Sequence, residues 1–274
     1  LALVTNVLDD HLNRYASRRA YAAAKARIWK WQQPDDAVIL NRDNSITRSW
    51  RKKPASRVLW FSLHPFADAD GAFLRKGSLV VRLHGRERII AHRDDSVLQG
   101  DHNLQNVLAA VLAASVLHVQ PGTIRRVLQG FRGLASRFEL VRTVRGIHFI
   151  NDTTATAPVA AIAALRSCQL PVVLIAGGAD KHLPYDEFAA MIRKRTKALV
   201  LLPGSATERL KTLLRLYRKP MVEVSSMGEA VRVARHFAKE GDAVLLSPGA
   251  ASFGLFLHEF DRGKQFLRAL QSVH

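Results

Sequence analysis

Leu134-Ala135-Ser136-Arg137-Phe138-Glu139-Leu140-Val141-Arg142-Thr143-Val144-Arg145-Gly146-Ile147-His148-Phe149-Ile150-Asn151-Asp152-Thr153-Thr154-Ala155-Thr156 is the stretch on which the chain turns. Val141, Val144 and Ile147 alternate with polar residues around Gly146, which predicts two short β-strands joined by a tight turn. The second strand runs into Asn-Asp-Thr-Thr, short polar side chains that can cap a helix and bind a ligand at its N-terminus. An Ala-rich helical run follows over 157–165. One segment thus offers a cation (Arg137), a carboxylate (Asp152) and a row of hydroxyls, the groups that phosphate and ribose chemistry wants. An ordinary hairpin with a capping box uses the same residues, and this stretch alone leaves both readings open.

Downstream, all-apolar runs at 172–176, 198–202, 222–224 and 243–246 alternate with helical patterns at 185–194, 206–216, 227–239 and 262–272. Buried strands alternating with helices imply a parallel, doubly wound, Rossmann-like α/β domain. Its ligand belongs at the carboxyl ends of the strands, where Gly177-Gly178-Ala179-Asp180-Lys181 and Ser247-Pro248-Gly249-Ala250-Ala251-Ser252 fall.

Upstream, Tyr21, Ala24, Ile28 and Trp31 recur at helical spacing, which predicts a helix over 17–33 ended by Pro34. Val38-Ile39-Leu40 reads as a short buried strand, and 57–90 as a small antiparallel β region with turns near Gly71, Gly77 and Gly85. Helices are expected over 104–116 and from 121 towards Gly133. The boundary drawn near Gly133-Leu134 gives domains of 1–133 and 134–274. The first lacks strands that would complete its sheet, so Val4 and Val38-Ile39-Leu40 are expected to present exposed edges.

The 274 residues are 48% hydrophobic and 23% charged, a soluble globular composition, and contain no uncharged apolar run long enough to span a membrane. The first residues, Leu1-Ala2-Leu3-Val4-Thr5, read like the middle of a strand, so the chain is expected to start inside a domain. The single Cys168 excludes an internal disulfide and fits a reducing, cytoplasmic setting. A net charge of +18 favours anionic partners. The basic residues are scattered, aromatics make up only 7%, and no nucleic-acid motif occurs. Anionic small molecules are expected, with no nucleic acid and no membrane, and a monomeric chain.

Three further constellations carry chemistry. His11, after Asp10, can ligate a divalent metal. Lys25, set among Ala22, Ala23 and Ala24, can lose its proton if desolvated and take up CO2 as a carbamate. From spacing alone, a surface lysine with a capping histidine is the simpler reading of these two. Asn103 and Asn106, three apart on one helical face, can read the donor–acceptor edge of an adenine or simply face solvent. Gly177-Gly178 before Asp180-Lys181 is a glycine turn presenting a cation to a carboxylate or phosphate.

In order along the chain, Asn6-x-x-x-Asp10-His11-x-x-Arg14-Tyr15, Tyr21-x-x-x-Lys25, Gly100-x-His102-Asn103-x-x-Asn106, Arg137-Phe138-Glu139, Asn151-Asp152-x-x-Ala155-Thr156, Gly177-Gly178-x-Asp180-Lys181, Leu246-Ser247-Pro248-x-x-Ala251-Ser252 and Arg262-Gly263 together resemble the Mur ligase family. The likeness is greatest to its members that join D-glutamate to UDP-N-acetylmuramoyl-L-alanine. The resemblance implies the C-terminal part of a P-loop ATPase-type central domain followed by an amino-acid-binding domain. It implies an ATP-dependent amide ligase of peptidoglycan precursor synthesis that works through an acyl phosphate and uses Mg2+. Carried over by residue, His11 resembles the magnesium ligand and Lys25 the carbamylated lysine. Asn103 and Asn106 resemble the adenine-side asparagines, Arg137 the phosphate-facing arginine and Asp152 the ribose-binding aspartate. Thr156 and Lys181 match holders of the α-carboxylate of D-glutamate, Ser252 a holder of its side-chain carboxylate, and Arg262 the arginine of the closing Arg-Gly, which the resemblance places with them among the substrate-binding residues.

The chain departs from the family pattern in four ways. Ser136 stands where His is usual before Arg137, and Thr154 where Lys is usual. His258-Glu259-Phe260-Asp261-Arg262-Gly263 replaces Asn-Phe-Glu-x-Arg-Gly. No Gly-x-x-Gly-Lys-Ser/Thr phosphate loop occurs in these 274 residues, so the chain is expected to be a fragment that is inactive alone. Two rival readings are a folylpolyglutamate synthase-like ligase and a non-catalytic basic binding protein derived from the truncated ligase.

Overall fold

The computed structural model describes residues 1–8, 15–98 and 100–273. These form two compact units that meet in sequence between Arg132 and Gly133. His11, with Asp10 and Arg14 of the same motif, lies outside the described residues.

The first unit is a six-stranded sheet in the order β1 (Ala2–Val4), β2 (Ala37–Asn41), β3 (Arg57–Ser62), β4 (Gly71–Arg75), β5 (Ser78–Leu83) and β6 (Arg86–His92). The pairs β1–β2, β2–β3 and β3–β4 are parallel; β4–β5 and β5–β6 are antiparallel. The antiparallel region expected over 57–90 therefore begins later, because β3 pairs parallel on both sides. Leu59, Trp60 and Phe61 in β3 are all buried, as a strand covered on both faces requires. The edge expectation is also corrected. Val38, Ile39 and Leu40 are 0% exposed and lie between β1 and β3, so only β1 forms that edge. Both hairpin turns, Lys76-Gly77 and His84-Gly85, have positive φ at both residues, which matches the right-handed twist of the flanking strands.

Ser17 caps α1 (Arg18–Ala26) by accepting a hydrogen bond from Ala20 N. The helix stops short of the expected 17–33, giving way to a tighter turn over Arg27–Trp29. Ile28 and Trp31, whose spacing suggests an apolar face, are 54% and 80% exposed. After α2 (Ser45–Arg48), the long α3 (Asp101–Val116) and α4 (Pro121–Gly130) follow. Val107, Leu108, Val111, Leu112 and Ile124 from these two helices pack on Ile39, Leu59, Phe61 and Leu79.

The second unit has its six strands in the order β11-β10-β9-β12-β8-β7. In chain order they are β7 (Glu139–Val144), β8 (Ile147–Asn151), β9 (Val172–Gly177), β10 (Thr196–Leu202), β11 (Met221–Glu223) and β12 (Ala243–Leu246). Only β7 runs antiparallel, to β8, through the positive-φ turn Arg145-Gly146. The helices are α5 (Pro158–Ser167), α6 (Asp186–Arg195), α7 (Ser205–Leu213), α8 (Met227–Phe237) and α9 (Glu259–Gln271). Alternate strand residues separate the two cores. Leu174, Ala176, Leu199, Leu201 and Leu245 pack with α5, α6 and α7 on one face. Val173, Ile175, Val200, Val244 and Leu246 pack with α8 and α9 on the other. The last strand, β12, inserts between β8 and β9, and this brings three separate exit loops to one end of the sheet.

Candidate functional site

The exit loop of β8 runs through Asp152 to Thr156, that of β9 through Gly178 to Lys181, and that of β12 through Ser247 to Ser252. Backbone bonds sew them together. Asp152 N donates to Leu246 O (2.8 Å), Gly249 N to Ala155 O (2.8 Å), and Gly177 N to Pro248 O (2.9 Å). Ala179 and Ala251 exchange N–H···O bonds of 2.9 and 3.0 Å. A Cβ on Gly178 would stand 2.3 Å from Ala251 O, so only glycine allows this approach.

On that frame, Lys181 Nζ donates to Thr156 Oγ1 at 3.0 Å. Both side chains are half-buried, and Ser252 on the third loop is buried. A cation beside a hydroxyl at strand carboxyl ends is suited to holding a carboxylate.

Asp152, 9% exposed, accepts a hydrogen bond from Ser247 Oγ (2.7 Å) on one carboxylate oxygen and from Phe138 N (3.0 Å) on the other. Burial pushes its pKa up to about 6, even though those two bonds and the positive charges of Arg137 and Arg262 act to lower it. Phe138 and Ser136 both hold positive φ, 46° and 66°, an uncommon backbone state for such residues. That conformation aims Phe138 N–H at Asp152. Arg137 between them has an exposed side chain.

Ser136 and Thr154, two of the departures from the family pattern, are partners. Thr154 Oγ1 donates to Ser136 O at 2.9 Å, and Asn151 Nδ2 donates to Ser136 Oγ at 3.4 Å. Arg262, expected among the substrate-binding residues, is instead 0% exposed and turned inward, and burial lowers its pKa to about 10. Its Nε donates to Thr153 Oγ1 (3.1 Å), Nη1 to Ala250 O (3.1 Å) and Nη2 to Thr153 O (2.8 Å). Beside the β9 loop, Asp180 pairs with Arg209 at 2.7 Å, and the Arg209 guanidinium lies 5.3 Å from the centre of the buried Tyr185 ring.

In the first unit, Asn103 is half-buried and Asn106 exposed, one turn apart at the start of α3. The chemistry of two amides on one face fits an adenine edge. Lys25 is exposed, its ammonium 5.4 Å from the Tyr21 ring centre; the desolvation expected from its alanine neighbours is absent. Among the described residues no three His, Cys, Asp or Glu side chains cluster as a metal site. His11, the residue that resembles the magnesium ligand, lies outside the described residues. Nor does any described helix have the length and apolarity to cross a membrane.

Sequence reasoning missed Phe138 N–H and Ser247 Oγ as the holders of Asp152, and Thr153 as the group on which Arg262 closes. Ser247 was visible in its Ser-Pro-x-x-Ala-Ser motif, but its partner lies 95 residues earlier. Backbone donors leave no sequence signal.

Residues 1–114 match the Mur ligase middle domain, and residues 136–249 match the Mur ligase, glutamate ligase domain. The chain is 47% identical over 283 residues to a UDP-N-acetylmuramoylalanine--D-glutamate ligase of Roseiflexus sp., covering 99% of this chain and 60% of that protein. The ligase of the same name from Symbiobacterium thermophilum is 37% identical, covering 100% and 60%. The chain therefore spans about 60% of the length of these curated relatives. The fold is that of the MurF ligase from Thermotoga maritima in complex with ADP (TM-score 0.67, 16% identity, 98% of this chain and 60% of that one). It is also that of a pseudomurein peptide ligase type C from Methanothermus fervidus (TM-score 0.70, 14% identity, 99% and 63%). The two domain matches, in their order and extent, identify the chain as a member of the Mur ligase family.

Proposed function

We propose that the protein of which this chain forms part is an ATP-dependent ligase that joins D-glutamate to UDP-N-acetylmuramoyl-L-alanine in the cytoplasm. The chain would contribute part of the central domain (1–133) and the amino-acid-binding domain (134–274). The observation that carries this reading is the convergence of three exit loops that brings Lys181 within 3.0 Å of Thr156, with the buried Ser252 on the neighbouring loop. A dicarboxylic amino acid needs two separate carboxylate holders. Lys181 with Thr156 would take the α-carboxylate, and Ser252 the side-chain carboxylate.

ATP, when bound, supplies the phosphoryl group that activates the carboxylate of the UDP-sugar substrate. Asn103 and Asn106 would hold its adenine and Asp152 its ribose. The two carboxylate bonds of Asp152 leave further lone pairs for a hydroxyl donor. Arg137, exposed beside Asp152, would face the phosphates and offset developing negative charge. The chain holds no phosphate-loop lysine, and Thr154 places no cation beside Arg137. The amine of D-glutamate then displaces phosphate from the acyl phosphate through a tetrahedral intermediate. His11 and a carbamate on Lys25 belong to this reading as metal ligands only through the resemblance.

Phosphate release is the test. A longer protein that adds a phosphate-loop segment ahead of Leu1 should release phosphate only with D-glutamate and UDP-N-acetylmuramoyl-L-alanine both present. The 274-residue chain alone should release none. Release driven instead by another amino acid, or release by the chain alone, would sink the reading.

A further inference from the structure

Arg262 is the largest fully buried side chain of the described residues. Burying a guanidinium is costly unless its donors are satisfied. Here no carboxylate lies within ion-pair distance among the described residues. The donors go instead to Thr153 Oγ1, Thr153 O and Ala250 O. One planar group therefore spans two loops, the β8 exit at Thr153 and the β12 exit at Ala250. Thr153 Oγ1 in turn donates to Glu259 O at 2.8 Å, tying the first turn of α9 to the same point. The next residue reinforces the joint: a Cβ on Gly263 would stand 2.7 Å from Thr153 Cγ2. The Arg-Gly pair lets α9 press against the β8 loop while the arginine reaches across to the β12 loop.

Thr156 lies three residues beyond Thr153, and Ser252 two beyond Ala250. Fixing Thr153 against Ala250 thereby fixes the separation of the two proposed carboxylate holders. We propose that Arg262 is a positioning residue that touches no substrate and sets this separation, so that the pocket measures the length of a dicarboxylic amino acid. The proposal deepens the reading above and rests on it. Lysine cannot substitute, because a single nitrogen lacks the rigid fork needed to bond both loops.

The test uses the 274-residue chain and its Arg262→Lys variant. Amide hydrogen exchange of Thr153, Thr154, Ala155 and Thr156, and of Ala250, Ala251 and Ser252, should quicken about tenfold or more in the variant, with β10 unchanged. By calorimetry, the unsubstituted chain should prefer D-glutamate over D-aspartate, and the variant should lose most of that preference. A purely structural arginine would lower stability and leave the preference intact. Should Arg262→Lys fail to fold, Thr153→Val keeps the side-chain shape, removes the bond from Arg262 Nε together with the one to Glu259 O, and should show the same loosening in smaller degree. Unchanged exchange in both loops, or quicker exchange with the preference retained, overturns the proposal. Quicker exchange in a chain whose unsubstituted form binds no D-glutamate would instead sink the amino-acid reading and leave the joint between the loops standing.

Discussion

Replacing Asp152 by Asn should make the second unit more stable at neutral pH. The carboxyl is 9% exposed, and burial raises its pKa from 3.8 to about 6. A carboxylate whose folded pKa is raised disfavours folding once it ionises. The penalty is absent below the unfolded value near 4 and fully present above the folded value near 6. At about 1.4 kcal/mol per pKa unit, a rise of roughly two units is worth ~3 kcal/mol. Asn keeps both contacts, since its Oδ1 can accept from Phe138 N–H and its Nδ2 can donate to Ser247 Oγ. It also withdraws a negative charge from Arg262, but burial is the larger influence on both groups, so the net sign holds. Asp152→Asn should therefore raise the melting temperature of the second unit by on the order of 5–10 °C at pH 7.5 and change it little at pH 4. All four tryptophans, Trp29, Trp31, Trp50 and Trp60, precede Gly133. The transition of the second unit is thus the circular-dichroism change without a tryptophan signal. A variant that melts no higher at pH 7.5, or whose gain is the same at pH 4, refutes the reasoning.

Lys181→Ala should weaken D-glutamate binding at least tenfold by calorimetry, through loss of a charge-assisted bond, with a melting temperature within a few degrees of the parent chain. In the longer protein, Lys25→Ala should abolish phosphate release and a short-chain acid should partly restore it; full activity would leave Lys25 an exposed surface lysine. A protein of residues 134–274 should unfold in one cooperative transition, because its length is ample for one core. A broad melt, with probe-dependent midpoints, would move the boundary.

The α/β architecture was legible where the chemistry of a strand is local. Val244-Leu245-Leu246 reads as a buried strand from any direction, and β12 spans the expected 243–246. Strand direction was not local. Leu59-Trp60-Phe61 suits a strand of either kind, and only its neighbours make β3 parallel on both sides. The overlong first helix failed for a related reason. Ile28 and Trp31 repeat at helical spacing, but periodicity says nothing of whether a core lies opposite. Thr156 and Lys181 were nominated from separate motifs; their contact across 25 residues follows from the insertion of β12 between β8 and β9. Thr153 gave no signal because its task is to receive Arg262, whose motif begins 109 positions later.

Most of the costly features of the second unit gather at one end of its sheet, the strained Arg145 of the β7–β8 turn being at the other. Asp152 is buried with a raised pKa, and Arg262 is buried against carbonyls and a hydroxyl rather than a carboxylate. Ser136, Phe138 and His182 hold positive φ, each at roughly 1–3 kcal/mol. At the amino ends of the strands, by contrast, buried Asp242 is paired directly with Lys197 at 2.5 Å. A sheet selected for stability alone would place a neutral amide at Asp152 and glycine at 136 and 138. Concentrating strain on the segment entering β7 and on the exit loops of β8 and β9 costs stability and returns a fixed arrangement of Phe138 N–H, Asp152, Thr156 and Lys181. Because these bonds form within the chain itself, the loops are set before any ligand arrives. Binding energy is then not consumed in ordering them, and mutations that relax the strain should raise stability while weakening binding.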